Sequence, residues 1–196
     1  VSATVMRTIL AALIAAILAV VGGSLYHRHH PAAPLLSDME IGFAQDMSAH
    51  HQQALMMADM LAADATPDVK ALAEQIRFTQ LTEIGQMTGW LQLVGAPPAS
   101  SHPMAWMIPG HDGHRMAMPG MASVAELERL QRSTGAANQE LFLQLMTRHH
   151  QGGITMAAYA FQHCTNDAVR RAASVMVDEQ TQEIQVMTTM LAQRRG

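Results

Sequence analysis

Apolar residues recur with a helical period over most of the chain. The clearest seam lies in the first half, at Phe43, Met47, His50, Ala54, Met57 and Leu61. Its counterpart in the second half comprises Phe142, Met146, His149, Gly153, Met156 and Ala160. Steps of four and three residues place side chains on one face of an α-helix. A similar period follows each seam, so the pattern predicts long helices that pack side by side in a bundle.

The two seams belong to an internal repeat. Residues 43–58 read FAQDMSAHHQQALMMA, and residues 142–157 read FLQLMTRHHQGGITMA. A second match, Q-x-x-E-I, occurs at residues 80–84 and again at 180–184. Turn-forming residues separate the two segments of each half. Each half is therefore predicted to be a helical hairpin, and the chain an all-α four-helix bundle built from two repeated hairpins.

The repeat also sets the expected domain organisation. We expect an N-terminal anchor or signal segment over residues 1–30, a linker over 31–36 and the bundle over 37–196. Within the bundle, the first hairpin covers 37–95, the crossover 96–122, and the second hairpin 123–196. Ser123 and Glu126 have the spacing of a capping box, which predicts a short helix that leads into the second hairpin.

The N-terminal segment is apolar. After Arg7, residues 8–26 carry no charge and are rich in Ala, Leu, Ile and Val. A spanning helix needs about 20 such residues. We therefore predict a transmembrane helix that makes the membrane a partner and places the bundle outside the cytoplasm, in the periplasm or at the cell surface. A cleaved signal peptide, which would give a secreted protein, is the alternative.

Composition directs attention to metals rather than to nucleic acids. The chain has 17 Met and 11 His, while only 14% of its residues are charged and its formal net charge is −4. This balance does not indicate a nucleic-acid partner. Histidine is the commonest metal-ligating side chain, and methionine is a soft ligand that suits Cu(I).

Each half of the repeat has polar residues at seam positions where packing favours leucine. His50 and Glu83 lie about equally far from the first turn, as do His149 and Glu183 from the second. In an antiparallel hairpin such residues lie at the same height. We therefore expect each of these histidines to face its glutamate, with both pairs in one layer of the bundle.

The polar layer is the main candidate metal site. A buried carboxylate is costly unless it is paired or bound to a metal. Two pairs in one layer favour a metal, and His–Glu hydrogen bonds that only fix the register are the alternative. The second histidine of each pair either ligates or orients its neighbour, and methionines lie one turn away. The candidate ligands are His50, His51, Glu83, His149, His150, Glu183, Met47, Met87, Met146 and Met187.

The crossover is a second candidate site. Its prolines and glycines interrupt any helical period, and Trp106 is expected to pack it onto the bundle. Mixed thioether and imidazole ligands suit Cu(I) or Ag(I), whereas a flexible linker of biased composition is the alternative. The candidate ligands here are His102, Met104, Met107, His111, His114, Met116, Met118 and Met121.

The doubled motif F-x-x-x-M-x-x-H-H-x-x-[AG]-x-x-M-A, each copy followed by Q-x-x-E-I, closely resembles the bacterial domain-of-unknown-function 305 (DUF305) family. The resemblance covers about residues 37–193 and implies a ferritin-like bundle that is usually exported. Some members are periplasmic copper-binding proteins linked to copper tolerance. By motif match, the family's positions fall on His50, His51, Gln80, Glu83, His149, His150, Gln180 and Glu183.

Two departures from the family pattern suggest that the halves are not equivalent. Gly153 replaces the usual alanine, and the acidic residue three before the first phenylalanine, Glu40, is Gln139 in the second half. The resemblance therefore leaves open whether both halves bind alike.

Three functions remain open from the sequence. The first is copper handling, with Cu(I), Cu(II) or another transition metal, and with a metal-delivery protein or a second copy of the chain as partner. The second is a ferritin-like redox enzyme with a dinuclear site. That site would be non-standard, because the sequence has no Glu-x-x-His motif of the usual kind. The third is a structural bundle that binds no metal.

Overall fold

The computed structural model describes residue 6 and residues 12–21, 34–107 and 117–194. The chain divides into two units, Val1–Leu35 and Leu36–Gly196. In the first unit, residues 12–21 are helical. Over the described ranges, no helix is both long and apolar enough to span a bilayer. The predicted segment 8–26 begins and ends outside those ranges, and residues 31–33 of the predicted linker also lie outside them.

The second unit is all-α over its described residues, as predicted. Helices α1 and α2 form one antiparallel hairpin, α4 and α5 form another, and the short helix α3 leads into α4. The hairpins meet chiefly where α1 packs against α4. The helices are α1 (Asp38–Asp59), α2 (Pro67–Leu93), α3 (Val124–Arg132), α4 (Gly135–His163) and α5 (Asp167–Gln193), with a 3₁₀ turn at Ala105–Met107.

Local signals place the helix starts. Ser123 and Glu126 form the predicted capping box of α3, and Ser37 and Glu40 form another at α1. Such boxes satisfy backbone N–H groups that the first turn of a helix leaves without partners. At α2, Thr66 is the N-cap and proline occupies the first helical turn, where its fixed φ is favourable.

Each hairpin also holds the turn of the other. Glu40 Oε1 accepts hydrogen bonds from the backbone N–H groups of Thr165 (2.9 Å) and Asn166 (2.6 Å). Gln139, its counterpart in the repeat, accepts from the backbone N–H of Thr66 at 3.2 Å and from its hydroxyl at 2.7 Å. The Glu/Gln difference between the halves therefore lies at the hairpin turns, not at the polar layer.

The core consists of two apolar clusters. One surrounds Phe43, Met47 and Met87 and includes the second half of α4. The other surrounds Met57 and Phe142 and includes the first half of α2. Along each of the four long helices, the buried polar residues of the repeat lie between the two clusters. This arrangement encloses the polar layer on two sides with apolar side chains.

Candidate functional site

The structure pairs each glutamate with the second histidine of its hairpin. His51 Nε2 lies 2.7 Å from Glu83 Oε2, and His150 Nε2 donates a hydrogen bond to Glu183 Oε2 at 2.7 Å. The predicted pairing of His50 with Glu83, and of its repeat counterpart with Glu183, is therefore wrong by one residue. The seam of α1 faces α4 at the centre of the bundle, and the next residue, about 100° round the helix, faces α2.

The first histidines meet each other instead. The rings of His50 and His149 stack with their centroids 3.8 Å apart and their planes inclined by 30°. His50 Nε2 donates to the carbonyl oxygen of Pro119 at 3.0 Å. His149 Nε2 donates to the carbonyl oxygen of His50, also at 3.0 Å. All four histidines have no exposed surface.

These contacts define the chemical state of three imidazoles. A carbonyl or carboxylate oxygen can only accept, so each Nε2 that bonds to one carries the proton, and the lone pair of a neutral ring lies on Nδ1. Among the described residues, Nδ1 of His50, His51, His149 and His150 has no hydrogen-bond partner. His51 Nε2 also lacks one, although it lies 2.7 Å from Glu83 Oε2.

Two buried amides accompany the histidines. Gln80 and Gln180 are 1% and 3% exposed, yet neither the oxygen nor the nitrogen of either side chain has a partner among the described residues. A buried polar group without a partner costs about 1–3 kcal/mol. The layer therefore holds buried nitrogen and oxygen atoms that no described residue satisfies.

Burial dominates the electrostatics of the layer. It lowers the pKa of His50 and of His51 to about 3 and that of His149 well below its usual value. Burial raises the pKa of Glu83 to about 7, with the charge of Glu183 adding to the rise. Low-dielectric surroundings disfavour the charged form of each group. At neutral pH these three histidines are therefore neutral, as metal ligation requires.

The end of the crossover covers the stacked pair. Gly120 adopts a left-handed backbone conformation, with φ of 77°. A Cβ atom there would lie 3.0 Å from the carbonyl oxygen of His149. A Cβ at Gly152 would overlap the backbone of Pro119. Glycine at both positions lets the two backbones touch, and this contact places the Pro119 carbonyl over His50.

Polar residues on α1 hold the two flanks of the crossover. Asp46 accepts from the backbone N–H of Met104 at 2.6 Å and from the indole N–H of Trp106 at 2.9 Å. The Gln53 amide bonds to both the carbonyl and the N–H of Ala122. Sequence reasoning missed Asp46 and Gln53. In the sequence, each is only a polar residue within a predicted helix. Such a residue does not indicate which loop it will bind.

The predicted crossover ligands have separate environments. Met104 is only 2% exposed and belongs to the apolar core, so core packing accounts for this methionine. Trp106 packs the loop onto the bundle as predicted, edge-on to Phe43. His102 is exposed, whereas Met107, Met118 and Met121 are half-buried. His111, His114 and Met116 lie outside the described residues.

The predicted thioether ligands of the layer are core residues. Met47, Met87, Met146 and Met187 have no exposed surface and are divided between the two apolar clusters. Over the part of the chain that the structure describes, no group of three or more His, Cys, Asp or Glu side chains is arranged to hold a metal ion.

A family model and two similar solved structures point to the same protein family. The family model for a domain of unknown function, DUF305, matches residues 40–191. A DUF305 protein of Streptomyces coelicolor is 40% identical, with a TM-score of 0.73 over 81% of this chain and 94% of that one. A DUF305 fragment from Deinococcus radiodurans is 32% identical, with a TM-score of 0.68 over 81% of this chain and 98% of the fragment.

A third structure is that of a protein with a bound metal. CopM in its Cu(II)-bound form is 26% identical, with a TM-score of 0.60 over 79% of this chain and 96% of CopM. No curated protein matches the chain significantly. The family match covers most of the chain and includes both hairpins and both His-His pairs. The chain therefore belongs to the DUF305 family.

Proposed function

We propose that this chain is an extracytoplasmic protein that binds copper, as Cu(I) or Cu(II), and serves in the handling or tolerance of the metal. The observation that carries this proposal is the state of the four buried imidazoles, whose Nδ1 atoms have no hydrogen-bond partner in the described part of the chain. Histidines that ligate metals commonly donate the other ring N–H to a carboxylate or a backbone carbonyl. His50, His149 and His150 already donate in this way.

The donor types of the layer fit copper. Imidazole nitrogens suit Cu(II), and thioether sulfurs suit Cu(I). The layer contains neutral histidines and the amides of Gln80 and Gln180. The buried methionines lie one helical turn away from it. Similarity to CopM, crystallised in a Cu(II)-bound form, supports copper as the first metal to test. Under this proposal Glu83 and Glu183 orient and polarise imidazoles, and the histidines supply the nitrogen ligands.

The proposed location outside the cytoplasm has separate support. The uncharged run at residues 8–26 has the length of a membrane anchor. The Streptomyces coelicolor relative is provisionally classed as secreted. Expression of the full chain in a bacterium, followed by fractionation, should place it in the membrane fraction with the bundle accessible to protease from outside. Cytoplasmic protein would contradict this location, and soluble exported protein would identify a cleaved signal.

Copper binding is tested on the full-length, metal-free chain. We would measure Cu(I) and Cu(II) stoichiometry and affinity by competition with chromophoric chelators. The test variant carries His51→Phe and His150→Phe, which remove two imidazoles and keep ring volume. The control variant carries His163→Phe, because His163 is an exposed histidine at the end of α4, far along the helix from the layer. Circular dichroism would establish that each variant is folded.

We expect the layer variant to lose at least one copper equivalent and the control to retain the wild-type affinity. Copper should also raise the melting temperature of the wild type, because a ligand that binds only the folded state stabilises it. The variant Glu83→Gln with Glu183→Gln should bind more weakly, by about 10–100-fold, if the carboxylates act through the imidazoles. Equal copper content in the wild type and the folded layer variant would show that the layer is a structural network of hydrogen bonds.

A further inference from the structure

Helices α2 and α5 belong to different hairpins and make few close backbone contacts with each other. Two adjoining grooves lie between them, of about 490 Å³ and about 230 Å³. Thr79 of α2 and Glu179 of α5 line both grooves. The pair therefore lies where the two grooves meet, on the outer face of the bundle.

Both grooves reach the polar layer. Glu83 lines the larger groove and Glu183 the smaller one. Their side chains are 10% and 5% exposed, whereas the histidines behind them are fully buried. His51 directs Nε2 at Glu83 from 2.7 Å, and neither of its ring nitrogens has a hydrogen bond among the described residues. A buried imidazole without a hydrogen bond thus lies directly behind the groove wall.

The approaches along the bundle axis and from the side of the crossover are covered. Apolar clusters enclose it along the bundle axis. On the side of the stacked histidines, the backbone of Pro119 and Gly120 packs against α4. A cation in the α2–α5 grooves reaches the carboxyl groups of Glu83 and Glu183, directly in front of the buried histidines, without crossing either apolar cluster.

The grooves carry negative charge where they meet. Glu179 is half-buried, and the causes that raise its pKa are, in order, burial and the charges of Glu83 and Glu183. The three carboxyl groups are therefore close enough to interact electrostatically. The larger groove also has a basic side chain, Arg171. Because Thr79 is the counterpart of Glu179 in the repeat, this charge exists in one half only and the repeat pattern does not reveal it.

We propose that the α2–α5 grooves are the entrance by which a metal cation reaches the polar layer, and that Glu179 is the carboxylate that receives it. This inference rests on the proposed copper function. Glu179 acts before binding: it attracts the cation and passes it to the groove walls formed by Glu83 and Glu183. A carboxylate at a narrow mouth concentrates cations and raises their association rate.

Loading kinetics test the entrance. Full-length, metal-free protein is mixed in a stopped-flow instrument with Cu(II) held by glycine, and the loading and release rates are measured. The test variant is Glu179→Gln. Its matched control is Asp178→Asn, the same loss of charge one residue away at an exposed position that lines neither groove. A second test variant, Thr79→Phe, narrows the meeting point from the opposite wall without a change in charge.

We expect Glu179→Gln to lower both the loading and the release rate, by at least about threefold at low ionic strength. Added salt should reduce the difference in loading rate between Glu179→Gln and the wild type. Because both rates fall together, the dissociation constant should change little. Thr79→Phe should slow both rates at every salt concentration. Asp178→Asn should behave as the wild type does.

Different failures are distinguishable. Wild-type loading rates in both Glu179→Gln and Thr79→Phe, with copper binding still lost in the His51→Phe and His150→Phe variant, would overturn the entrance and leave the copper function intact. A change in the release rate alone would make Glu179 a ligand and also overturn the entrance. Failure of the wild type to bind copper would overturn both proposals.

Discussion

His50 and His149 occupy equivalent positions in the repeat and stack directly on each other, with ring centroids 3.8 Å apart. Residues related by an approximate two-fold axis can touch each other only near that axis. The axis that relates the two hairpins therefore passes through this stack, at the centre of the polar layer. Its symmetry is imperfect, because His149 donates to the carbonyl of His50 whereas His50 donates to Pro119 of the crossover.

The buried histidines should make the metal-free protein sensitive to mild acid. The pKa of His50 and of His51 falls from an ordinary 6.5 to about 3 on folding, so between these values the unfolded chain binds more protons. Their contribution to stability is present above pH 6.5 and is lost as pH falls toward 3. We expect the free energy of unfolding, measured with urea and a chelator present, to decrease from pH 6.5 to 4.5.

Glu83 provides an internal comparison because its shift has the opposite sign. Its pKa rises from 4.5 to about 7, so its contribution is fully present below pH 4.5 and is lost as pH rises toward 7. In Glu83→Gln this opposing contribution is absent, and the acid loss between pH 6.5 and 4.5 should be steeper than in the wild type. Stability that stays constant over this range in both proteins would contradict the neutral state assigned to the histidines.

The contact between crossover and α4 depends on Gly152. A methyl group there would overlap the backbone carbonyl of Pro119, which cannot rotate away as a flexible side chain can. We expect Gly152→Ala to destabilise the protein by about 1–3 kcal/mol and to expose His50 to solvent. Gly85→Ala is the control, because its Cβ would meet no atom within 4 Å. It should stabilise α2 by up to about 1 kcal/mol, and equal effects of the two changes would contradict the contact.

Local patterns were enough to predict the helices and the repeat. The seams and the capping box at Ser123 depend on residues close in sequence, and the structure has both features where they were predicted. The identity of the partner of Glu83 was not predictable in this way. Adjacent histidines differ by about 100° round the helix, and α1 has two neighbours, so only the tertiary packing decides which ring faces α2.

The hydrogen bonds between the two hairpins were not predictable from local sequence either. Gln139 departs from the family pattern at the position equivalent to Glu40. The roles of both residues at the turn of the opposite hairpin depend on contacts across more than 70 positions of sequence. The docking of Met104 on Asp46 likewise depends on where the crossover returns. Such long-range contacts leave no periodic signal in the chain.

Asp46 should be the main anchor of the start of the crossover. It is 1% exposed, burial raises its pKa, and it accepts hydrogen bonds from Met104 and Trp106. Asp46→Ala leaves two buried donors without an acceptor, which should cost about 2–4 kcal/mol. In a Trp90→Phe background, fluorescence from Trp106 should shift to the red as the indole meets water. Asp46→Asn keeps one acceptor oxygen and should be milder, and an unchanged spectrum in Asp46→Ala would contradict the anchor.

Gly153 offers a way to separate copper binding from stability at the layer. A methyl group there would overlap Oε1 of Gln180, the end of a flexible side chain that can rotate away. The Gln180 amide has no hydrogen-bond partner among the described residues, so its displacement from the metal-free protein breaks no hydrogen bond within them. Alanine also favours the helix over glycine. The free energy of unfolding of metal-free Gly153→Ala should therefore equal or slightly exceed that of the wild type.

Copper affinity should respond differently if the Gln180 amide is a copper ligand. We expect Gly153→Ala to bind copper about tenfold more weakly, which corresponds to about 1.4 kcal/mol, in a competition assay with a chromophoric chelator. Gly89→Ala is the control, since a Cβ at that position of α2 would meet nothing within 4 Å and should leave affinity unchanged. Because the first half already has Ala54 at the equivalent position, the loss should affect one half of the layer only. Equal affinities in the two variants would show that Gln180 takes no part in binding.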